Sequence, residues 1–132
     1  MINSVTTQGS PTSADWVTSY KIQYSSDAST WSTVLSTDGT DRLFTGNSDQ
    51  VTENVNAMPA GLAVHYVRLV PVAASGMKAV QMKIGACKLP RKNTSTCIMS
   101  LTIEQALFSC FANNNLYSFV INLTDFLIDS QL

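Results

Sequence analysis

Between residues 16 and 24 the chain repeats every second position. Trp16, Thr18, Tyr20, Ile22 and Tyr24 alternate with Val17, Ser19, Lys21 and Gln23. A period of two belongs to an extended strand, whose successive side chains point to opposite faces. The pattern predicts a strand with one strongly aromatic face, and that face belongs in a core. Further segments read in the same way. Ser25-Ser26-Asp27-Ala28-Ser29 is a turn, Trp31 to Leu35 a second strand, and Thr37-Asp38-Gly39-Thr40-Asp41 a turn whose glycine supplies positive φ. Leu43-Phe44 precedes Gly46-Asn47-Ser48-Asp49-Gln50, a loop by composition. The longest apolar run, Ala63 to Val72, has Tyr66, Arg68 and Val70 alternating against Val67 and Leu69. It is Val-rich and stopped by Pro71, which favours a strand over a helix. From Ala79 to Ile84 the alternation puts Val80, Met82 and Ile84 on one face and Gln81 and Lys83 on the other. Short strands at regular spacing predict an all-β antiparallel sandwich or barrel.

Composition supports that class. Charged residues are 13% of the 132 positions, against roughly 25% in ordinary domains, and sixteen Ser and fourteen Thr supply the polar surface instead. Thr favours strands and Ser fills turns, so a helical bundle is not expected. The length suits one domain. Net charge is -1 and no basic run exceeds Arg91-Lys92, so nucleic acid is not an expected partner. The opening MINSVTTQGS has neither a charged n-region nor an apolar h-region, and no signal peptide is expected in it. Apolar stretches in the tail are broken by Glu104, Gln105, Asn113-Asn114-Asn115 and Asp125, so no membrane span is expected.

From Lys88 the style changes. Thr102-Ile103-Glu104-Gln105 has the form of a capping box, and Ile103, Leu107, Cys110 and Phe111 follow at helical spacing, so a short helix is predicted over 101–112. Leu116 to Leu123 reads as an apolar strand or as a poorly specified segment.

Chemistry-bearing constellations are scarce. Cys87, Cys97 and Cys110 form no Cys-x-x-Cys, and the single His65 is far from them in sequence, so neither a metal nor a cofactor is expected. His65 beside Tyr66 reads as a structural or edge histidine. No Gly-x-Ser-x-Gly elbow occurs, and no cysteine is tied to a base, so no catalytic residue is assigned and no enzyme is expected. Asp27, Asp38, Asp41 and Asp49 lie in turns, where a short carboxylate hydrogen-bonds the backbone. Gly39, Gly46 and Gly61 are isolated and build no phosphate loop. Trp16, Tyr20, Ile22, Tyr24, Trp31 and Tyr66 could form a sugar-stacking platform, but their alternation assigns them to the core. Arg68 is either exposed or buried against a carboxylate. Asn93-Thr94-Ser95 and Asn122-Leu123-Thr124 match the glycosylation sequon.

Several stretches occur in an order and spacing that can be matched to a known family. They are Val5-Thr6-Thr7-Gln8-Gly9, Trp16 to Ser25 with Asp27 and Trp31, Phe44-Thr45-Gly46-Asn47-Ser48-Asp49, and His65-Tyr66-Val67-Arg68-Leu69-Val70-Pro71, closing at Cys87. Across residues 2 to 88 the chain resembles the discoidin family, also called the coagulation-factor type C domain. The resemblance implies an eight-stranded jelly roll, a two-sheet sandwich or distorted barrel. Only the later part of that domain is matched: the family's opening third, with its first cysteine and first ligand-binding loop, has no counterpart before Met1. Residues 1–88 are therefore expected to be a partial discoidin-type domain truncated at its N-terminal strands, and 89–132 an unassigned tail. By the same resemblance Cys87 is the partner of the absent cysteine, and loss of such a staple typically costs about 2–5 kcal/mol. Ala74, Lys78, Gln81 and Ala86 depart from the family's closing pattern.

In this family recognition is carried by loops at one pole. One is the hairpin after the Thr-Gln-Gly, here Ser10-Pro11-Thr12-Ser13-Ala14-Asp15, so Ser10, Pro11, Thr12, Ser13 and Asp15 are the expected ligand-binding residues. Family ligands include phosphatidylserine membranes, sugars and collagen-like or other extracellular proteins. This tip holds no large apolar side chain and so offers little insertion energy at about 0.8 kcal/mol per buried CH₂. The resemblance implies an extracellular or cell-surface adhesion module that takes a glycan or protein ligand, with phospholipid as the alternative. Two other readings stand beside it: a truncated gene product without autonomous activity, and an accessory module of a carbohydrate-active enzyme.

Overall fold

The computed structural model describes residues 2–62, 64–86, 108–109 and 119–122. Within them the chain forms β1 (Ile2–Gln8), β2 (Trp16–Ser25), β3 (Ser32–Thr33), β4 (Phe44–Thr45), β5 (Asn54–Leu62), β6 (Tyr66–Ser75), β7 (Ala79–Ala86), β8 (Phe108–Ser109) and β9 (Phe119–Asn122). One sheet has the order β5-β1-β7-β8; the other has β3-β2-β6-β9, with β4 also paired to β2. Every pairing is antiparallel. The two sheets share one interior: Val5, Met58, Val80, Met82 and Ile84 from the first meet Val17, Tyr20, Ile22, Phe44, Val67 and Leu69 from the second. The all-β jelly-roll class read from the sequence is the class observed.

The aromatic face of β2 is corrected. Tyr20 and Ile22 are buried, but Trp16 is only half-buried and Val17 takes the core position before them. Register shifts against β6 lie between Val17 and Ser19 and between Ser19 and Tyr20. A bulge adds a residue to one strand, so alternation before it is out of phase with alternation after it. Tyr24 packs against the core from its margin. Trp31 and Tyr66 are half-buried and stand outside the core cluster. Trp31 carries the Arg68 guanidinium 4.1 Å from its ring centroid. Arg68 also donates from Nε to Gln23 Oε1 at 2.7 Å, so its partners are an indole and a neutral amide, neither of them a carboxylate.

Three boundaries differ from expectation. The strand between Trp31 and Leu35 shortens to two residues, and an isolated bridge from Leu35 to Asp41 closes the turn around Gly39, whose φ is +83°. Strand β6 runs through Pro71 to Ser75 instead of stopping there. Its pairing with β9 ends at Leu69, and on the other side Pro71 faces the bulged segment of β2, so a residue without N–H is tolerated. The stretch over Asn54–Leu62, which carries no clear alternation, is an edge strand. Edge position explains how it holds Pro59 and leaves Val55 63% exposed.

Of the helix expected over 101–112, residues 101–107 and 110–112 lie outside the described residues. Phe108 and Ser109 are extended and pair with Val80 and Ala79, so the helical reading does not hold at those two positions, where backbone bonding to a sheet edge replaces the local ladder. In the segment read as strand or unspecified, Phe119–Asn122 is a strand on β6. Cys87, Cys97 and Cys110 lie outside the described residues.

The turn after β2 holds a strained residue. Ala28 has φ +61°, a region that costs an L-residue with a Cβ roughly 1–2 kcal/mol. Ala28→Gly is expected to raise the unfolding free energy by roughly 1 kcal/mol, the glycine's greater unfolded freedom offsetting part of the relief. Urea midpoints of the two proteins check this; an unchanged or lower midpoint would show that the residue is not strained.

Candidate functional site at the hairpin pole

Antiparallel register decides which loops meet. Gln8 lies opposite Gln81, Thr7 opposite Asn54, and Trp16 opposite Ser75, so the end of β1, the starts of β2, β5 and β7 and the end of β6 converge on one pole. Three connections cover it, residues 9–15, 46–53 and 76–78.

The first is the predicted hairpin. Its base is closed by the Ser10 amide donating to the Asp15 carbonyl at 2.9 Å. The Ser10 Oγ accepts from the Thr12 amide (3.3 Å), the Ser13 amide (3.2 Å) and the Ser13 hydroxyl (2.9 Å). Short hydroxyl side chains that bond local backbone are what make such residues frequent in turns. Asp15 fastens the hairpin to its neighbour: Oδ2 accepts from the Ser13 hydroxyl at 2.6 Å and Oδ1 from the Met77 amide at 2.9 Å. Only a glycine fits beside it at position 76, where φ is +70° and an added Cβ would sit 2.1 Å from Asp15 Oδ1.

The middle loop is held as tightly. Asn47, almost fully buried, donates from Nδ2 to the Thr7 carbonyl (2.9 Å) and the Thr52 carbonyl (2.7 Å). Asp49 Oδ1 accepts from the Val51 and Thr52 amides, at 2.8 and 2.6 Å. Gln8 and Gln81 reach across with their amides to the Val51 and Gly9 carbonyls, at 2.6 and 2.8 Å.

The expected binding residues thus divide into two sets. Ser10 is buried, and Ser13 and Asp15 are half-buried; their polar atoms hold the loop in shape. Pro11 and Thr12, with Ala14, are exposed at the tip. The same pole also carries Met77, 51% exposed, and Val51, 70% exposed, neither of which the sequence reading included. The signal for Met77 was its place in a Ser-Gly-Met-Lys turn; nothing local marked Val51.

Elsewhere Asp27 and Asp38 accept from turn amides as expected, as Asp49 does at the pole, whereas the Asp41 side chain is bonded to a lysine instead. The Thr30 amide first, then the Ser29 amide and the Ser25 hydroxyl, hold the Asp27 carboxyl well below its ordinary value. The Asp49 carboxyl is lowered chiefly by the Thr52 amide, Asp38 by the Thr40 amide, and Asp15 by the Ser13 hydroxyl. Asp41 pairs with Lys21 at 2.9 Å. His65 lies at the opposite end, its amide donating to the Ser25 carbonyl at 3.3 Å and its Nδ1 3.2 Å from the Ser26 carbonyl. Among the described residues no three His, Cys, Asp or Glu side chains are grouped to hold a metal ion.

The carboxyls of Asp15, Asp27, Asp38 and Asp49 have folded-state pKa values below the unfolded one, so their stabilisation is complete well above an unfolded pKa of about 3.9, begins to fall there and is lost as pH drops through the lower folded-state values. The urea midpoint is expected to stay flat from about pH 7 to pH 5 and to fall between about pH 4.5 and pH 2, with Asp27→Asn removing part of the fall. A midpoint that rises on acidification would contradict the assignment.

A model of the F5/8 type C domain matches residues 1–84. The chain belongs to that family. Relatives of this F5/8 type C domain include human EGF-like repeat and discoidin I-like domain-containing protein 3, 34% identical over 92 residues, covering 67% of this chain and 19% of the relative. Mouse retinoschisin is 30% identical over 88 residues, covering 66% and 39%. Pig lactadherin is 30% identical over 91 residues, covering 67% and 22%. The chain thus spans less than two-fifths of the length of these curated relatives. Among solved structures, wild-type discoidin II from Dictyostelium discoideum superposes with a TM-score of 0.55 at 19% identity, covering 63% of this chain and 31% of that one, which supports the fold. In the F5/8 type C domain as matched here, β8 and β9 lie beyond the matched range.

Proposed function

We propose that this F5/8 type C domain is a non-enzymatic recognition module of the cell exterior, acting in adhesion, and that it meets a glycan or protein ligand with the loops 9–15, 46–53 and 76–78. The observation that carries the reading is the hairpin itself. Its inner hydroxyls and carboxylate are spent on holding the loop, which leaves Pro11, Thr12 and Ala14 standing exposed on a fixed base. Loops fixed on a β scaffold are where recognition concentrates. A tip of small side chains, with the Thr12 hydroxyl at its centre, suits close approach by a ligand rich in hydroxyls or backbone amides.

One observation favours a second reading. Met77 and Val51 bring exposed apolar surface to the pole, and burying such side chains in a bilayer margin would contribute to phospholipid binding. A three-arm test separates the two: a glycan array, a panel of immobilised extracellular proteins, and sedimentation with phosphatidylserine liposomes. Glycan or protein binding lost at least tenfold in Thr12→Lys, with an unchanged circular dichroism spectrum, is the expected result. Liposome binding alone, abolished by Met77→Asp and indifferent to Thr12→Lys, would replace the first reading with the second.

A further inference from the structure

Arg68 stands between two wholly buried residues of β6, Val67 and Leu69, so its side chain leaves the outer face of the β3-β2-β6-β9 sheet. Its register partners are Gln23 on β2 and Val120 on β9, and Thr33 on β3 follows beyond Gln23. The guanidinium is held on two sides. Trp31 lies against it, and that indole is itself fixed by Nε1, which donates to the Ala28 carbonyl at 3.2 Å. Arg68 Nε donates to Gln23 Oε1, and Gln23 Nε2 donates in turn to Thr33 Oγ1 at 3.1 Å. Among the described residues no carboxylate completes the row. Asp27 and Asp38, in the connections beside β3, accept from their own turns, and Asp41 is taken by Lys21. Among the same residues nothing accepts from the two Nη groups of Arg68.

Both acceptors in the row already receive a hydrogen, and what remains is donors: the Nη fork, the second Nε2 hydrogen of Gln23 and the Thr33 hydroxyl hydrogen. A surface left with donors selects an anion. A planar fork of fixed orientation selects two coplanar oxygens, which is the geometry of a carboxylate. Half-buried and stacked, the fork has already lost the freedom that an exposed arginine gives up when it binds. We infer that this row is a carboxylate-binding site for an acidic saccharide, separate from the hairpin pole. Trp16 opposite Ser75 marks the pole, and Gln23 opposite Arg68 stands seven positions further along β2, roughly 20 Å away. A saccharide, and not an extended peptide, follows from the topology. At this row β2 is paired to β3 and β6, and β6 to β2 and β9, so neither strand has a backbone edge open to a peptide's ladder and recognition falls to side chains. A sugar ring carries its carboxylate among hydroxyls that the Gln23 and Thr33 donors can meet.

Nuclear magnetic resonance on the full chain labelled with nitrogen-15 tests this, read at the Arg68 Nε–H and Trp31 Nε1–H signals. Sialyllactose is the probe, lactose its neutral control and triglutamate its peptide control. One ion pair near a surface contributes little, so sialyllactose is expected to move both signals with a Kd on the order of 1 mM. Lactose should move neither, and triglutamate should bind severalfold more weakly. Arg68→Lys keeps the charge and loses the fork, so about a tenfold loss of affinity is expected at an unchanged urea midpoint. Thr12→Lys should leave the titration as it was, which keeps this site and the pole independently testable. Silence of both signals at about 10 mM sialyllactose overturns the site, whether or not Arg68→Lys folds. An equal response to lactose, or full affinity in Arg68→Lys, overturns recognition of the carboxylate by the fork. Triglutamate binding as tightly as sialyllactose overturns the saccharide, and loss of binding in Thr12→Lys overturns the separation from the pole.

Discussion

Tyr20→Ala is expected to lower the unfolding free energy by roughly 3–5 kcal/mol, the range for removing a buried aromatic side chain. Tyr20 is fully buried, its ring stacks on Phe44 with centroids 5.6 Å apart and planes 11° from parallel, and its hydroxyl accepts from Asn56 Nδ2 at 2.9 Å. Alanine would remove the ring, leave a cavity between the sheets and strip Phe44 of its neighbour. Against a total of roughly 5–15 kcal/mol, a loss of that size leaves a marginal protein. Tyr20→Phe separates the contributions. It keeps the ring, and Asn56 Nδ2 retains the Thr45 carbonyl at 2.8 Å, so about 1 kcal/mol is expected. Urea unfolding with linear extrapolation measures both. Equal losses for the two variants would mean that the hydroxyl matters and the ring does not, contrary to the packing described.

Gly46→Ala is the second large effect, at roughly 3 kcal/mol. An added Cβ would stand 2.3 Å from the Val17 carbonyl oxygen and 2.9 Å from the Thr18 carbonyl carbon. Neither obstacle is a side chain that can swing away, and β2 is held from both sides by its pairings. The 46–53 loop must then retreat. The Gly46 amide bond to the Thr18 carbonyl and the Asn47 amide bond to the Val17 carbonyl, both 2.8 Å, go with it. Gly39→Ala supplies the contrast: φ is +83° but nothing lies within 4 Å, so only backbone strain of roughly 1–2 kcal/mol remains. If the two alanine variants unfold at the same urea midpoint, close approach at Gly46 is not the constraint.

How far the fold was legible depends on where side chains had only one layer to answer to. The alternation of Val80, Met82 and Ile84 was readable because the register shift of β7 against β1 lies at Gly85–Ala86, beyond those three, so their inner face never changes phase. In β2 the same reasoning placed Trp16 inside, because a bulge has no local sequence mark; it is created by pairing with β6. Pro71 misled for a related reason: the missing N–H matters only where a neighbouring strand would ask for it. The edge strand β5 escaped notice because one side of it answers to solvent, so its composition is that of a loop. The candidate site was half legible. The hairpin came from the resemblance, with all of its polar residues taken as contacts, yet a hydroxyl that bonds its own loop looks no different in sequence from one that waits for a ligand. Ser10 is buried and accepts three local bonds whereas Thr12 stands exposed, and the loop that sorts them is fastened by Asp15 reaching across to the Met77 amide, sixty-two positions away.

That reach has a thermodynamic consequence. Because the Asp15 carboxylate, the Asn47 amide and the two glutamines have already ordered the three loops against one another, a ligand taken at the pole as proposed would find their entropy lost in advance. Affinity gained through such pre-organisation is erased when one tie is cut, even by a change that touches no ligand atom. In a titration calorimeter the intact pole should show little ordering penalty, whereas Asp15→Ala should bind the same ligand with a more adverse entropy.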